Sequence, residues 1–261
     1  EQIQVSMWNS VFLDDSQGLY DEPYLFYFEK GVHTVRLSVI DSSLVLGGIK
    51  FHNENHISYK EYYEKHSKYI VQNGEVVYQQ AEVTELTNSA SINPTYDKLN
   101  VATVPSDPTY VKLNTIGQTN WGTQGESVSW KVDVEKPGMY RVVFRARQNT
   151  NSGLISYRNL YVNGKVPFAE ALNIPFEYSQ DWKMFTLGGQ KEQLLYLEPG
   201  DIITLTCSSG KTAKILRSVR QVVNDLNALY RRVIAITSVS PDTFQDYKHE
   251  KKIPGIDNQL L

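Results

Sequence analysis

Residues Ser127–Arg147 read SVSWKVDVEKPGMYRVVFRAR, and this stretch decides the fold. Apolar and polar side chains alternate on both sides of the Lys-Pro-Gly triplet at 136–138. An alternation with a period of two is typical of strands that bury one face, so the stretch predicts two antiparallel strands joined as a hairpin by the Pro-Gly turn. The face predicted to be buried carries Val128, Trp130, Val132, Val134, Tyr140, Val142, Phe144 and Ala146.

Composition excludes several classes of protein. The 261 residues suffice for one large domain or two medium ones, and the formal net charge of −3 gives no electrostatic reason to expect nucleic acid as a partner. Cys207 is the only cysteine, so an intramolecular disulfide is impossible, which fits cytoplasm or a bacterial surface. The chain begins with EQIQVS rather than Met, so we interpret it as a piece of a longer protein, with any signal peptide or lipid anchor removed.

Local signals predict further elements. The run YLFYFEKGVHTVRLSV, which starts at Tyr24, predicts a strand, a Lys-Gly turn and a second strand. Ser58 and Glu61 match a capping box and predict a short helix after residue 58. The Asn163-Gly164 dipeptide predicts a tight turn between strands.

The pattern becomes helical from Lys211 to Thr237. Its apolar residues are separated alternately by four and three positions, which is heptad spacing held over three repeats. The helix could lie against its own sheet or could pack against another helical domain. We predict burial at its start and, near Leu229–Ile236, exposure or weak homodimer formation. The seam residues are Ile215, Val219, Val222, Leu226, Leu229, Val233 and Ile236.

An internal repeat suggests the domain organisation. Residues Tyr24–Leu37 align with Gln193–Thr206, and a tryptophan run precedes each copy, at Trp8 and Trp182. Only the second copy has about a hundred strand-rich residues before it, so the first domain is expected to lack its opening half. The predicted domains are 1–57, the C-terminal part of a first β-sandwich; 58–75, a helical linker; 76–210, a complete sandwich; and 211–261, a helix and tail leading to a missing domain.

The motifs GESVSWKVDVEKPGMYRVVFRARQN, LYVNGKVPF, DWKMFTL and LYLEPGDIITL occur in an order that resembles galactose-binding-like carbohydrate-binding modules. With the helical run, residues 1–53 and 78–256 are similar to large surface solute-binding proteins of sugar ABC transporters in Gram-positive bacteria. The resemblance implies a mainly β fold, an antiparallel β-sandwich (jelly roll) with a partial second sandwich and a long C-terminal α-helix. It also implies an extracellular, surface-anchored protein with carbohydrate and further domains of the same polypeptide as partners.

A sugar site in such a sandwich needs an aromatic ring for the apolar face of the sugar, with amides and carboxylates for its hydroxyl groups. Residues of this kind occur in segments expected at one end of the sandwich. A structural role is the alternative for three of them: Trp121 as a plug beneath its loops, Trp182 as a core residue like its counterpart Trp8, and Asn159 as a turn residue. The predicted ligand-binding residues are Asn120, Trp121, Asn149, Tyr157, Asn159, Tyr178 and Trp182.

The resemblance also implies a structural calcium ion near Glu82, in the segment YQQAEVTEL. Calcium binds six to eight oxygen atoms, some of which would have to come from an acidic residue near the last strand. Asp201 is the one acidic residue available there. Calcium is the only cofactor that the sequence suggests.

Enzyme interpretations find little support in the sequence. His52 and His56 flank Glu54 in a predicted loop, whereas a catalytic zinc site built on paired histidines places them on one helical face. Cys207 lies in an apolar strand and is predicted to be buried and inert. The sequence therefore predicts non-catalytic carbohydrate binding, with a structural spacer or the accessory module of a glycoside hydrolase as alternatives.

Overall fold

The computed structural model describes residues 3–8, 10–38, 44–51, 53, 55–72, 74, 76–98, 100 and 102–256. The chain divides into two compact units, Glu1–Gly210 and Lys211–Leu261. In the described residues, every strand belongs to the first unit and the long helix belongs to the second. Nowhere in these residues is a helix long and apolar enough to cross a membrane.

The first unit contains one α-helix and eleven strands among its described residues. They are α1 (Tyr59–His66), β1 (Leu86–Thr87), β2 (Pro94–Thr95), β3 (Thr115–Ile116), β4 (Ser127–Lys131), β5 (Gly138–Arg141), β6 (Val143–Ala146), β7 (Ser156–Val162), β8 (Ile174–Phe176), β9 (Lys183–Thr186), β10 (Leu194–Leu197) and β11 (Ile202–Ser208). Two short 3-10 helices, Gln118–Asn120 and Ala169–Ala171, lie in the connections.

The strands form one five-stranded sheet and three strand pairs. The sheet has the order β1–β4–β11–β7–β8, and the pairs are β10–β5, β6–β9 and β2–β3. Pairing between these strands is antiparallel throughout. Strands β5 and β6 are separated only by Val142, so β10–β5 and β6–β9 continue one another.

Side chains from the five-stranded sheet and from the two consecutive pairs meet in one core. Leu160 of β7 and Leu195 of β10 are both fully buried in it. Complete burial of one such side chain stabilises the fold by roughly 1.5–3 kcal/mol. The fold is an antiparallel β-sandwich, as the sequence predicts. The core also contains Val128, Trp130, Met139, Tyr140, Ile174, Phe176, Leu197, Ile203 and Leu205.

The Pro-Gly connection joins the predicted strands, but the predicted hairpin between them is wrong. Strand β4 pairs with β1 and β11, whereas β5 pairs with β10. The chain therefore crosses from one layer to the other at residues 132–137, and it crosses back between β10 and β11. Alternation shows which side chains face the core, but it carries no information about which strand accepts the backbone hydrogen bonds.

The turn predicted at Asn163-Gly164 is confirmed. Both residues have positive φ, 50° and 72°, which a two-residue turn of this kind requires. The backbones of Val162 and Lys165 close it with two hydrogen bonds of 2.8 and 3.0 Å.

The short helix predicted after Ser58 is also confirmed, with both hydrogen bonds of its capping box present. It covers the free edge of β10: the Leu194 N–H donates to the Tyr59 hydroxyl at 2.7 Å, and the Tyr196 N–H donates to the Tyr62 hydroxyl at 2.9 Å. Exposed strand edges invite unwanted pairing, so this cover protects the sandwich. The Tyr62 side chain is buried in the core.

None of the described residues before Leu86 lies in a strand, and the partial sandwich predicted before residue 58 stays a prediction. Leu25 and Tyr27 are 91% and 88% exposed, although they align with β10. In β10, the aligned Leu194 and Tyr196 pair with β5. A strand pattern without a partner strand leaves backbone N–H and C=O groups to water, which explains the difference.

The second unit consists mainly of α2 (Thr212–Thr237), followed by α3 (His249–Lys252). The predicted helix is confirmed, but the predicted distribution of burial along it is wrong. Ile215 is 63% exposed, whereas Leu229 is 5% exposed, so the seam is open at its start and buried towards its end. Ser238, directly after the helix, has a positive φ of 64°, and Ile253 in the tail of the same unit is 2% exposed.

Candidate functional site

The antiparallel register brings the predicted loops to one end of the sandwich, here called the loop end. Ser127 is paired with Thr206, Tyr157 with Ser208, and Ser156 with Phe176, so these strand ends coincide. The connections 147–155 and 177–182 meet there through a hydrogen bond from the Ser179 N–H to the Gln148 carbonyl at 2.8 Å. The expectation of loops gathered at one end is therefore met.

Trp121 is half-buried at the loop end, and its contacts are those of a structural residue. Its indole N–H donates to the Glu126 carbonyl at 3.1 Å, and its ring packs edge-on against Trp130. The Arg158 guanidinium lies over the ring, 4.7 Å from its centroid. That contact occupies one face of the ring.

Arg158 connects Trp121 to strand β7 at the loop end. Its guanidinium donates to the carbonyl oxygens of Tyr157 and Trp121, both at 2.8 Å. Burial lowers the pKa of Arg158 below its ordinary value. The thiol of Cys207 also donates to the Trp121 carbonyl, at 3.5 Å, and burial raises the pKa of this thiol to about 11. The prediction of a buried cysteine is confirmed.

Two further predicted residues lie in β7 rather than in a loop. Tyr157 is only 7% exposed, so its ring is unavailable as a platform for a ligand. The Asn159 side-chain oxygen accepts from the Asn173 N–H at 2.8 Å, and the Asn173 side-chain oxygen accepts from the Ser208 hydroxyl at 2.5 Å. Asn159 thus holds the connection before β8, close to the turn role that the sequence allowed.

Trp182 is half-buried against two arginines and a buried carboxylate. Its indole N–H donates to Asp97 at 2.6 Å, and the guanidinium carbons of Arg145 and Arg147 lie 4.6 and 5.0 Å from its ring centroid. Arg147 forms an ion pair with Asp97 at 3.6 Å. The Asp97 backbone is held by Asn114, which accepts from the Asp97 N–H at 2.8 Å. These contacts anchor the segment around Asp97 to the sandwich.

Three predicted residues remain accessible at the loop end. Asn120 and Asn149 are exposed and Tyr178 is partly exposed. Tyr178 accepts a hydrogen bond of 3.5 Å from Gln180, two residues along the chain. Their contacts neither assign nor exclude a ligand role, so these three remain predictions.

The calcium ion predicted at Glu82 is not assigned by the described part of the chain and stays a prediction, since calcium also binds backbone and amide oxygen atoms. Nowhere in that part do three His, Cys, Asp or Glu side chains cluster as a metal site needs. Asp201 is engaged elsewhere, since its carboxylate accepts from Asn163 and from the Glu198 N–H, both at 2.8 Å. One oxygen of Glu82 is buried without a partner, and burial raises the pKa of this carboxyl group. His52 and Glu54 of the histidine motif lie outside the described residues.

An open cleft that no sequence motif indicated lies at the opposite end of the sandwich and is here called the hairpin cleft. It has a volume of about 350 Å³ and lies beside the Asn163-Gly164 turn and the β10–β11 connection. Its polar and aromatic lining comes from Tyr62, Asn163, Lys165, Tyr196, Glu198 and Asp201, and Val162, Val166 and Pro167 supply its apolar part. The turn motifs were visible in the sequence, but nothing local indicated that α1 brings Tyr62 beside them.

Some polar groups of the hairpin cleft hold its shape. Asn163 donates to Asp201 at 2.8 Å and accepts from the Ile202 N–H at 2.9 Å, which locks the two connections together. The Tyr196 hydroxyl donates to Glu198 at 2.7 Å, and this hydrogen bond raises the pKa of Tyr196 above the usual tyrosine value.

Other groups of the cleft face solvent. Lys165 and Glu198 are exposed, and Tyr196 is partly exposed. The cleft can therefore present a hydrogen-bond donor, an acceptor and an aromatic ring to one ligand.

No protein-family model and no curated protein matches the chain. Among solved structures, the chain is similar to a native family 35 carbohydrate binding module from Clostridium thermocellum, with 19% identity and a TM-score of 0.35, over 51% of this chain and 85% of that one. It is also similar to a cycloisomaltooligosaccharide glucanotransferase of Paenibacillus sp. complexed with cycloisomaltoheptaose, with 23% identity and a TM-score of 0.35, over 59% of this chain and 21% of that one. At these TM-scores the likeness carries no argument about ligand or activity.

Proposed function

We propose that the first unit is a non-catalytic carbohydrate-binding module whose ligand occupies the hairpin cleft. One observation carries the proposal: the cleft combines an aromatic ring, a carboxylate and an ammonium group around an open volume of about 350 Å³. This volume falls at the small end of the range for ligand pockets, roughly 300–1,000 Å³. It suits a ligand of one or two sugar rings.

The chemistry of the lining fits a sugar. The Tyr196 ring packs against His66 and Tyr69, with ring centroids 5.1 and 4.2 Å away, so only its remaining, partly exposed surface can meet the C–H face of a sugar ring. Glu198 can accept hydrogen bonds from hydroxyl groups and Lys165 can donate to them. The Asn163–Asp201 hydrogen bond fixes both connections in advance, so little ordering is needed when a ligand binds. Because the cleft is open, one side of the ligand stays in water, and we expect weak binding.

The setting that we propose is extracellular. The order of motifs resembles the tandem modules of surface solute-binding proteins of sugar ABC transporters, which we propose as the parent context. The accessory module of a glycoside hydrolase is the alternative parent and would leave the role of the cleft unchanged.

The test compares two groups of variants on a glycan array and by titration calorimetry. Lys165→Ala and Glu198→Gln alter the hairpin cleft, and Tyr178→Ala alters the loop end as the matched control. We expect the wild-type chain and Tyr178→Ala to bind the same glycan, and both cleft variants to bind it at least about tenfold more weakly. Loss of binding in Tyr178→Ala alone would move the site to the loop end and would contradict the assignment to the cleft.

A second candidate function is a structural spacer without a ligand. It is favoured by the contacts of Trp121, whose indole N–H and ring are used within the fold. If the wild-type chain binds no glycan on the array, the spacer function is supported and the carbohydrate-binding proposal fails.

A further inference from the structure

The first half of α2 carries an apolar stripe that remains exposed. Ile215, Val219, Val222 and Leu226 are between 49% and 63% exposed, and Leu216 and Val223, at 42% and 48%, widen the stripe on one side. These six residues are called the α2 stripe. Contiguous apolar patches of this kind mark interaction surfaces.

The spacing of the α2 stripe indicates the shape of its partner. Intervals of four and three residues average 3.5, which matches the contact between packed helices. A stripe widened to three positions in seven is typical of a helix in a bundle rather than of a two-stranded coiled coil. Helices that lie on a lipid surface also have an amphipathic period, but their apolar face is typically rich in Trp and Phe, which the α2 stripe lacks. The heptad spacing and this composition together favour an α-helical protein partner.

The charge of α2 distinguishes between two helical partners, a second copy of this chain and an acidic helix. Along the stripe, residues 214–226 carry three basic residues and one acidic residue, a net charge of +2. The whole helix has a net charge of +4, although the whole chain has a net charge of −3. Pairing with a second copy would bring two helices of the same charge together, which is unfavourable. A helix with acidic flanks would complement α2 instead. The charged residues are Lys214, Arg217, Arg220, Asp225, Arg231 and Arg232.

We propose that the α2 stripe docks an amphipathic α-helix that carries acidic residues beside its apolar seam. This interaction is independent of the carbohydrate site, because it uses the second unit only. The contact would bury the side chains that α2 leaves in water from Ile215 to Leu226.

The probe is a synthetic peptide of about four heptads, long enough to be helical, with Leu and Ile at its seam and Glu at the flanking positions. A peptide with Lys at the flanking positions is its charge control. Fluorescence anisotropy would measure the binding of each peptide to the full chain. We expect the acidic peptide to bind at least about tenfold tighter than the basic one, and high salt to weaken its binding.

Two matched double variants test the position of the contact. Val219→Glu with Val222→Glu places two acids on the α2 stripe, and Gln221→Glu with Asn224→Glu places two acids at the same spacing on the opposite, exposed face. We expect only the first pair to abolish peptide binding. Circular dichroism melting should be similar for both variants, because all four positions are exposed.

Three results would overturn the proposal. If neither peptide binds, or if both bind equally well, the proposal of an acidic helical partner is contradicted. Self-association of the wild-type chain that the stripe variant abolishes would identify a second copy as the occupant. Stripe-dependent sedimentation with phosphatidylglycerol vesicles, but not with phosphatidylcholine vesicles, would identify a lipid surface instead.

Discussion

The guanidinium of Arg158 covers the ring of Trp121 and also donates to the carbonyl oxygen of the same residue at 2.8 Å. One side chain thus fixes both the ring and the backbone of Trp121. The carbonyl of Trp121 also accepts from the thiol of Cys207, which links the loop to β11. Arg158 therefore covers part of the ring of Trp121, which is half-buried at the loop end.

Replacing Arg158 by Met should destabilise the first unit. The change removes two charge-assisted hydrogen bonds and the contact with the indole ring, so we expect a loss of about 2 kcal/mol in the free energy of unfolding. Urea denaturation monitored by tryptophan fluorescence measures it. Arg141→Met is the control, because Arg141 is exposed and its ion pair with Glu192 contributes little. Equal losses in the two variants would contradict a structural role for Arg158.

Tyr157 packs against the backbone of Gly210. A Cβ atom added to Gly210 would lie 2.5 Å from the Tyr157 ring, and the glycine has a φ of 50°. Gly153 also has a positive φ, of 76°, but nothing lies within 4 Å of the corresponding Cβ position. Gly153→Ala should therefore cost about 1 kcal/mol for backbone strain alone, and Gly210→Ala clearly more because a contact is added.

Thermal unfolding of both glycine variants measures this difference. Similar melting temperatures would mean that the Tyr157 ring can move aside, and Tyr157 would then be less firmly held than the structure indicates. A larger loss for Gly210→Ala would support the conclusion that Tyr157 is a packing residue and not a ligand platform.

The thiol of Cys207 should be unreactive in the folded chain. Its pKa is raised to about 11 by burial, compared with about 8.5 for an ordinary thiol. At pH 8 the folded chain should react with a disulfide reagent at least about 100-fold more slowly than the urea-unfolded chain, because the reactive thiolate is scarce and shielded. The stability contributed by the neutral thiol is complete below the unfolded pKa and is lost as the pH rises towards 11. A fast native reaction at pH 8 would contradict this burial.

Short-range sequence patterns predicted where the strands of the sandwich lie. They did not predict which distant strands pair with each other. The alternation around Pro137 correctly placed Trp130 and Tyr140 in the core, since facing the core depends only on period and burial. The hairpin between β4 and β5 was wrong because their partner strands lie more than forty residues away in the sequence. The seam of α2 was likewise correct in its spacing, but the burial of Leu229 depends on what surrounds it in three dimensions.

The candidate site also depends on contacts between distant residues, which local sequence patterns did not predict. Aromatic and amide residues such as Trp121 and Asn159 have the chemistry of a sugar site, but their hydrogen bonds are used within the fold. The hairpin cleft depends on α1 lying beside β10, a contact between residues about 134 positions apart. Periodicity and turn motifs report on neighbours in sequence, so they could not bring Tyr62 to the cleft.

The contact between α1 and β10 leads to the last prediction. Tyr62→Phe keeps the ring in the core but leaves the Tyr196 N–H without its acceptor. Loss of such a partly buried hydrogen bond costs about 0.5–1.5 kcal/mol, and we expect a loss of stability in this range. Tyr63→Phe is the matched control on the same helix, because Tyr63 is 42% exposed and should be nearly neutral. Chemical denaturation would measure both, and hydrogen exchange should show a faster amide at Tyr196 only in Tyr62→Phe. An unchanged exchange rate at Tyr196 would mean that α1 does not protect the edge of β10.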